Sequence, residues 1–283
     1  MVWPDARTTI VGVIGYPVTH SLSPLLHNAA FAAWGLNWIS VGFEVAPGKI
    51  AVALDGLRAL EVAGVSVTMP HKEDVARLVD ERSDVASRLG AVNCVINRDG
   101  VLRGDNTDGA GFLASLGRAA NFDPAGKRCL VLGAGGAARA VILALAEAGA
   151  DLVGVVNRTA QRAVDAAALA GEVGRAVEVG DDSDVVVREA DLVVNATPVG
   201  MEGAGSKDAG SLVAPSLFHE GQVAVDLVYV PRPTPWLASA ADSGAVVVDG
   251  LGMLVHQAAV QLELWTGLAA PLDVMWRAAT EAV

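Results

Sequence analysis

The residues best equipped for chemistry in this 283-residue chain fall in four short clusters in its first half. His20-Ser21-Leu22-Ser23-Pro24 brings two hydroxyls to the start of an expected helix, where either serine could equally serve as its cap. Ser66-Val67-Thr68-Met69-Pro70-His71-Lys72 follows a short apolar run and ends in one of only four lysines, at positions 49, 72, 127 and 207. Gly90-Ala91-Val92-Asn93 and Gly104-Asp105-Asn106-Thr107-Asp108-Gly109 complete the set. Together the four clusters carry more hydrogen-bonding groups than turns need. Taken singly, the pieces have plainer readings: a lone lysine there is usually solvated, and 105–108 could be a capping cluster. The acidic spacing also invites a metal, but no later Glu follows at calcium-loop spacing and no His/Cys cluster exists, so none is expected.

A second kind of chemistry is written downstream. Gly133-Ala134-Gly135-Gly136-Ala137-Ala138 stands between an apolar run and a helical one. In that context Gly133 serves a tight turn, Gly135 lets backbone approach a pyrophosphate, and Ala138 permits close helix–strand packing. The helix start offers unpaired N–H groups to phosphate. The next apolar run ends in Asn157-Arg158-Thr159 rather than the acidic residue that grips a free ribose. A guanidinium there suits a 2′-phosphate, which points to NADP rather than NAD, although Arg158 could also merely cap a solvated helix.

Short β-branched runs alternate with Ala-rich segments of helical spacing, the pattern of an α/β protein. Strands are expected over 8–14, 38–45, 64–68, 127–132, 151–156, 175–179, 191–195, 223–226 and 245–249. A hairpin is expected over 92–97 and 101–103, closed at Asp99-Gly100. Helices are expected over 24–34, 50–61, 75–80, 84–89, 108–120, 137–148, 160–170, 253–266 and 271–282, with a Gly/Ser loop over 200–211. The resulting scheme is a first domain of residues 1–109, joined by 251–283 if the C-terminal helices pack back on it, and a Rossmann-like, doubly wound domain of residues 110–250. The two C-terminal helices return to the first domain in this scheme.

Apolar residues make up 52% of the chain and charged ones 18%, which supports a real core. A net charge of −12 argues against a nucleic-acid partner. Two cysteines give no disulfide framework, no apolar run is long enough to span a membrane, and the first residues lack a signal pattern. These features point to a globular, cytoplasmic protein; a small-molecule partner and a monomer or homodimer are expected.

The clusters in their order resemble the shikimate dehydrogenase family over nearly the whole chain. The likeness runs through Ser21-Leu-Ser23-Pro24, Val67-Thr68-Met-Pro70-His-Lys72, Gly90-Ala-Val-Asn93 and Asp105-Asn-Thr-Asp108-Gly109. It continues through Gly133-Ala-Gly-Gly136, Asn157-Arg-Thr159, Asn195-Ala-Thr197-Pro-Val-Gly200-Met201, Asp226-Leu-Val-Tyr229, Gly250-Leu-Gly-Met253 and His256-Gln257. Ser66 stands where the family often has Asn, and Cys94 where it often has Thr.

The resemblance implies NADPH-dependent, reversible reduction of 3-dehydroshikimate to shikimate, a step toward aromatic amino acids, in a pocket between the domains. Ser21, Ser23 and Tyr229 would hold the carboxylate, and Thr68, Lys72, Asn93, Asp108 and Gln257 would address the ring hydroxyls. Lys72 and Asp108 would be the acid–base pair. Gly133, Ala134, Gly135, Gly136, Ala137, Asn157, Arg158 and Thr159 would hold the nucleotide, with Thr197, Met201, Gly250 and Met253 toward the nicotinamide. Met253 could equally be core packing. Two rivals remain: a sister enzyme acting on quinate or an aminated shikimate, and a non-catalytic NADP-binding sensor.

Overall fold

The structure, a computed structural model, describes residues 4–201 and 213–283. The chain divides into two compact units, one built from residues up to Gly111 together with Leu254–Ala282, the other from Phe112–Met253.

In the first unit the elements run β1 (Thr9–Gly15), α1 (Ser23–Trp34), β2 (Trp38–Glu44), α2 (Ile50–Ala59), β3 (Gly64–Val67), α3 (Lys72–Leu78), β4 (Glu81–Arg82), α4 (Asp84–Leu89), β5 (Cys94–Arg98) and β6 (Val101–Asp105). Its sheet has the order β2-β1-β3-β5-β6-β4. β1 pairs in parallel with β2 and β3, whereas β5 is antiparallel to both β3 and β6. The β5–β6 reversal turns on Asp99 and Gly100, both at positive φ (52° and 85°), the conformation that a two-residue hairpin demands. Ile14, Leu54, Val65, Val75, Val95 and Leu102 form its core.

α5 (Asp108–Ala120) begins in the first unit and passes at Phe112 into the second, which continues with β7 (Arg128–Leu132), α6 (Gly136–Glu147), β8 (Leu152–Val156), α7 (Ala160–Ala167), β9 (Gly174–Val177), α8 (Asp181–Glu189), β10 (Leu192–Asn195), β11 (Val223–Asp226), α9 (Pro235–Asp242) and β12 (Val246–Val248). All six strands are parallel in the order β12-β11-β10-β7-β8-β9, the doubly wound arrangement of a dinucleotide fold. Both faces of this sheet are covered, and the interior strands β8, β10 and β11 are accordingly near-continuous buried apolar runs.

The closing helices α10 (Leu251–Thr266) and α11 (Leu272–Glu281) pack on the first unit. The indole N–H of Trp265 donates to the Val95 carbonyl at 3.0 Å, and its ring meets His27 edge-on. Gly64 must be glycine because a Cβ there would run into that indole.

Three helices differ from expectation. α3 begins at Lys72, not 75, because His71 occupies the cap without a side-chain bond and so carries no sequence signal. α8 and α9 were not expected. The start of α8 is Asp-rich and reads as loop, and that of α9 is hidden among prolines although Thr234 caps it and Pro235 opens it. Most of the expected 200–211 loop lies outside the described residues.

Candidate active site

Each polar cluster of the first unit sits at a strand end or a helix start. Thr68 follows β3; its backbone N–H donates to Ile14 and its carbonyl accepts from His71. Gly15, at the end of β1, leaves room for the Thr68 methyl. His71 Nε2 lies 2.6 Å from the Val45 carbonyl, which can only accept, so this nitrogen carries the proton. That bond pins the turn and starts α3 with Lys72 as its first residue.

Asp108 opens α5 in the same way, its N–H held by the Asn106 side chain at 3.1 Å. The two meet: Lys72 Nζ donates to Asp108 Oδ2 at 2.5 Å across 36 residues of sequence. The pair is largely withdrawn from water, with side chains 19% and 8% exposed. Asn93 Nδ2 donates to Asp108 Oδ1 at 2.7 Å, and Asn93 Oδ1 accepts the Thr107 N–H at 2.8 Å. Both carboxylate oxygens are therefore engaged, and the ammonium is aimed rather than solvated.

Ser21 and Ser23 do not cap α1: the cap position is Leu22, without a side-chain bond. Ser21 Oγ accepts only a long bond from Ser23 N at 3.4 Å. Among the described residues the hydroxyls of Ser23 and Thr68 have no hydrogen-bond partner. Gln257, on α10, reaches the same cluster: its backbone carbonyl accepts from Thr107 Oγ1 at 3.1 Å. Thr107 and the buried Gln261 tie these groups together, and neither was anticipated from sequence. Thr107 was legible only as a cap, and Gln261 only as one polar residue in a mostly apolar helix.

In the second unit the glycine turn follows β7. Gly133 has φ +112°, and a Cβ would press on the Ala196 carbonyl and the Thr197 methyl. Gly135 caps α6 without a side-chain bond and has open space where a Cβ would stand. Gly136 and Ala137 follow in the first turn of α6, while Ala134 is buried and Ala138 packs inside the core. Bare backbone N–H groups facing open space fit a pyrophosphate.

At the end of β8, Asn157 Nδ2 donates to the Thr159 carbonyl at 3.0 Å and shapes the turn into α7. Thr159 makes no side-chain cap. The exposed guanidinium of Arg158 has no partner among the described residues, which fits an incoming phosphate. Arg162, in the first turn of α7, is exposed as well.

Thr197 Oγ1 donates to Asn195 Oδ1 at 2.7 Å, and Asn195 Nδ2 donates to Asp226 Oδ1 at 3.0 Å. Asp226 also accepts from Thr234 Oγ1 and Val228 N; burial raises its carboxyl above the usual range. Tyr229 follows on this loop, half-buried, with its phenol pushed up by burial. Gly250 is obligatory, since a Cβ would collide with the Leu227 carbonyl. Met253 joins the second unit's core, and Met201 is 43% exposed. Among the described residues no group of three or more His, Cys, Asp or Glu could hold a metal.

Comparison with known proteins is specific. Residues 13–95 match the family model of the shikimate dehydrogenase substrate binding domain, and residues 250–280 that of the shikimate 5′-dehydrogenase C-terminal domain. Residues 117–251 match that of the shikimate / quinate 5-dehydrogenases. The chain is 48% identical over 290 residues to the shikimate dehydrogenase (NADP(+)) of Moorella thermoacetica, covering 100% of this chain and 96% of that one. It is 47% identical over 282 residues to the shikimate dehydrogenase (NADP(+)) of Methanopyrus kandleri, covering 98% and 97%. The crystal structure of shikimate 5-dehydrogenase from Thermus thermophilus in complex with NADP(H) and shikimate superposes with a TM-score of 0.88 at 40% identity, covering 98% of this chain and 100% of that one.

Proposed function

The chain belongs to the shikimate dehydrogenase family, and on that premise we propose how its own residues interconvert 3-dehydroshikimate and shikimate. The protein is an NADP-dependent oxidoreductase. When bound, NADPH supplies the hydride that reduces a carbonyl carbon. The oxygen that gains negative charge must then be protonated, and Lys72 Nζ holds the proton for it. Asp108 aims that ammonium, and Asn93 keeps Asp108 in place. The hydroxyls of Ser21 and Ser23 serve the substrate carboxylate, and Thr68 with Gln257 the ring hydroxyls. A site so rich in fixed donors rejects analogues that leave one of them unpaired. On the cofactor side, Gly133, Gly135 and the start of α6 hold the pyrophosphate, and Arg158 the 2′-phosphate.

The observation that carries this reading is the 2.5 Å contact of Lys72 with Asp108, braced by Asn93. Steady-state rates with shikimate and quinate, each with NADP and NAD, test it. Turnover of shikimate with NADP above the other three pairings is the expected result. Dominant quinate turnover would move the substrate assignment to the sister activity. NADPH binding without turnover of either acid would favour a sensor. Among the described residues no helix is long and apolar enough to cross a membrane. The two cysteines are free and buried, in keeping with the reducing cytoplasm proposed for this enzyme.

A further inference from the structure

The two ends of a glutamine amide have the same shape, so what each end faces decides which is oxygen and which is nitrogen. Gln261 lies on α10, fully buried, with Nε2 3.2 Å from the Asn93 carbonyl. A carbonyl only accepts, so the Gln261 amide cannot turn over. The same Nε2 lies 2.9 Å from Gln257 Oε1. Gln257 Nε2 in turn donates to the Leu254 carbonyl at 3.0 Å. Two backbone carbonyls thus lock two amides in series, with the oxygen of Gln257 turned to Gln261 and one hydrogen of its nitrogen uncommitted. Gln261 Nε2 also reaches Thr107 Oγ1 at 3.4 Å, so it touches three members of the cluster around Asp108.

Its own Oε1 is buried without a partner among the described residues. A methionine would fill the space without stranding that oxygen, whose burial is unfavourable. The donor end of Gln261, not its bulk, is what this place in the fold uses.

We propose that Gln261 is a positioning residue that fixes the orientation of the Gln257 amide, so that Gln257 meets the substrate as a hydrogen-bond donor. This rests on the reading that Gln257 binds a ring oxygen.

The test is titration of the full-length protein with shikimate at saturating NADP. It compares wild type with Gln261→Met, Gln261→Glu, Gln257→Ala and the Gln257→Ala/Gln261→Met double variant. Gln261→Met should raise the shikimate Kd about three- to tenfold, the worth of one hydrogen bond, and leave the NADP Kd unchanged. In the Gln257→Ala background the same change should have no further effect. Gln261→Glu provides a second readout. A protonated carboxyl can still donate to Gln257 and an ionised one cannot, so shikimate affinity should fall from pH 6 to pH 8 more steeply than in wild type.

Wild-type affinity in folded Gln261→Met overturns the inference, as does an equal loss in both backgrounds. If Gln261→Met does not fold, a pH profile of Gln261→Glu parallel to wild type overturns it instead. If Gln257→Ala itself binds shikimate as wild type does, the role of Gln257 falls first, and that of Gln261 with it.

Discussion

Replacing Asp108 by Asn changes one atom and almost no volume, yet the hydrogen-bond geometry forbids a quiet outcome. Oδ2 accepts from the Lys72 ammonium at 2.5 Å and Oδ1 from Asn93 Nδ2 at 2.7 Å. An amide has a single oxygen, so its nitrogen must face one of these two donors. Asn93 cannot turn to help, because its own oxygen is held by the Thr107 N–H at 2.8 Å. The new amide therefore presents its oxygen to Asn93 and its N–H2 to Lys72, leaving a largely buried ammonium without its counter-ion.

A charge-assisted hydrogen bond is lost, roughly 1.5–3 kcal/mol. The first unit should melt several degrees lower while staying folded at 25 °C. Turnover should fall about 10²–10⁴-fold, the usual worth of general acid–base catalysis, with a smaller change in the shikimate Michaelis constant. The assay is initial-rate absorbance of NADPH on Asp108→Asn, Lys72→Met and the double variant. Because the pair acts as a unit, the double variant should be little worse than the poorer single one. Turnover of Asp108→Asn within tenfold of wild type would refute the reasoning, as would single effects that multiply in the double variant.

Arg158→Ala should raise the Michaelis constant for NADP about tenfold or more and that for NAD little; equal shifts for both cofactors would remove the 2′-phosphate role. Gly135→Ala should leave thermal stability within about 0.5 kcal/mol, because a Cβ meets nothing within 4 Å in the folded chain. It should nonetheless weaken NADPH binding in calorimetry, and unchanged binding would mean that the pyrophosphate does not approach there. His27 is buried without a charged partner, and desolvation lowers it to about 3 from an ordinary 6.5. The folded state then stays unprotonated while the unfolded chain takes up a proton below pH 6.5, so this residue subtracts stability as pH falls. The loss is about 2 kcal/mol between pH 7 and pH 5. Urea melts of wild type and His27→Asn should converge in stability over that interval, and a constant difference would contradict it.

How much of this was legible in the sequence differs by the kind of signal. The glycine turn was legible because Gly133 and Ala138 answer a backbone and a packing requirement of the fold, while Gly135 keeps open the space where a phosphate would approach. The Lys72 and Asp108 clusters were legible as polar groups in excess of what turns need. The residues that aim them were not. Thr107 looked like a cap, and Gln261 acts through a bond to the Asn93 carbonyl 168 residues away, a distance no local pattern spans. The start of α3 was missed for a related reason: His71 initiates it through the remote Val45 carbonyl, not through a side-chain cap. Asp226 carries no local signal of its role, because its bond to Asn195 needs β10 and β11 side by side and its bond to Thr234 needs the start of α9 turned back on β11.

The return of α10 to the first unit has a consequence for the order in which the protein comes into being. Thr107 waits for the Gln257 carbonyl, 150 residues later in the chain, and Val95 for the Trp265 indole, 170 residues later. The second unit is contiguous and has no such debt to the far end of the chain. At about 5–20 residues per second, a ribosome takes roughly 8–30 s to make the intervening stretch. During that time the nascent first unit carries an open face at Gly64 and β5, and the second unit, complete at Met253, is made in full before Trp265 arrives. The half of the enzyme made first is thus the half finished last, and Trp265 is the residue that seals it.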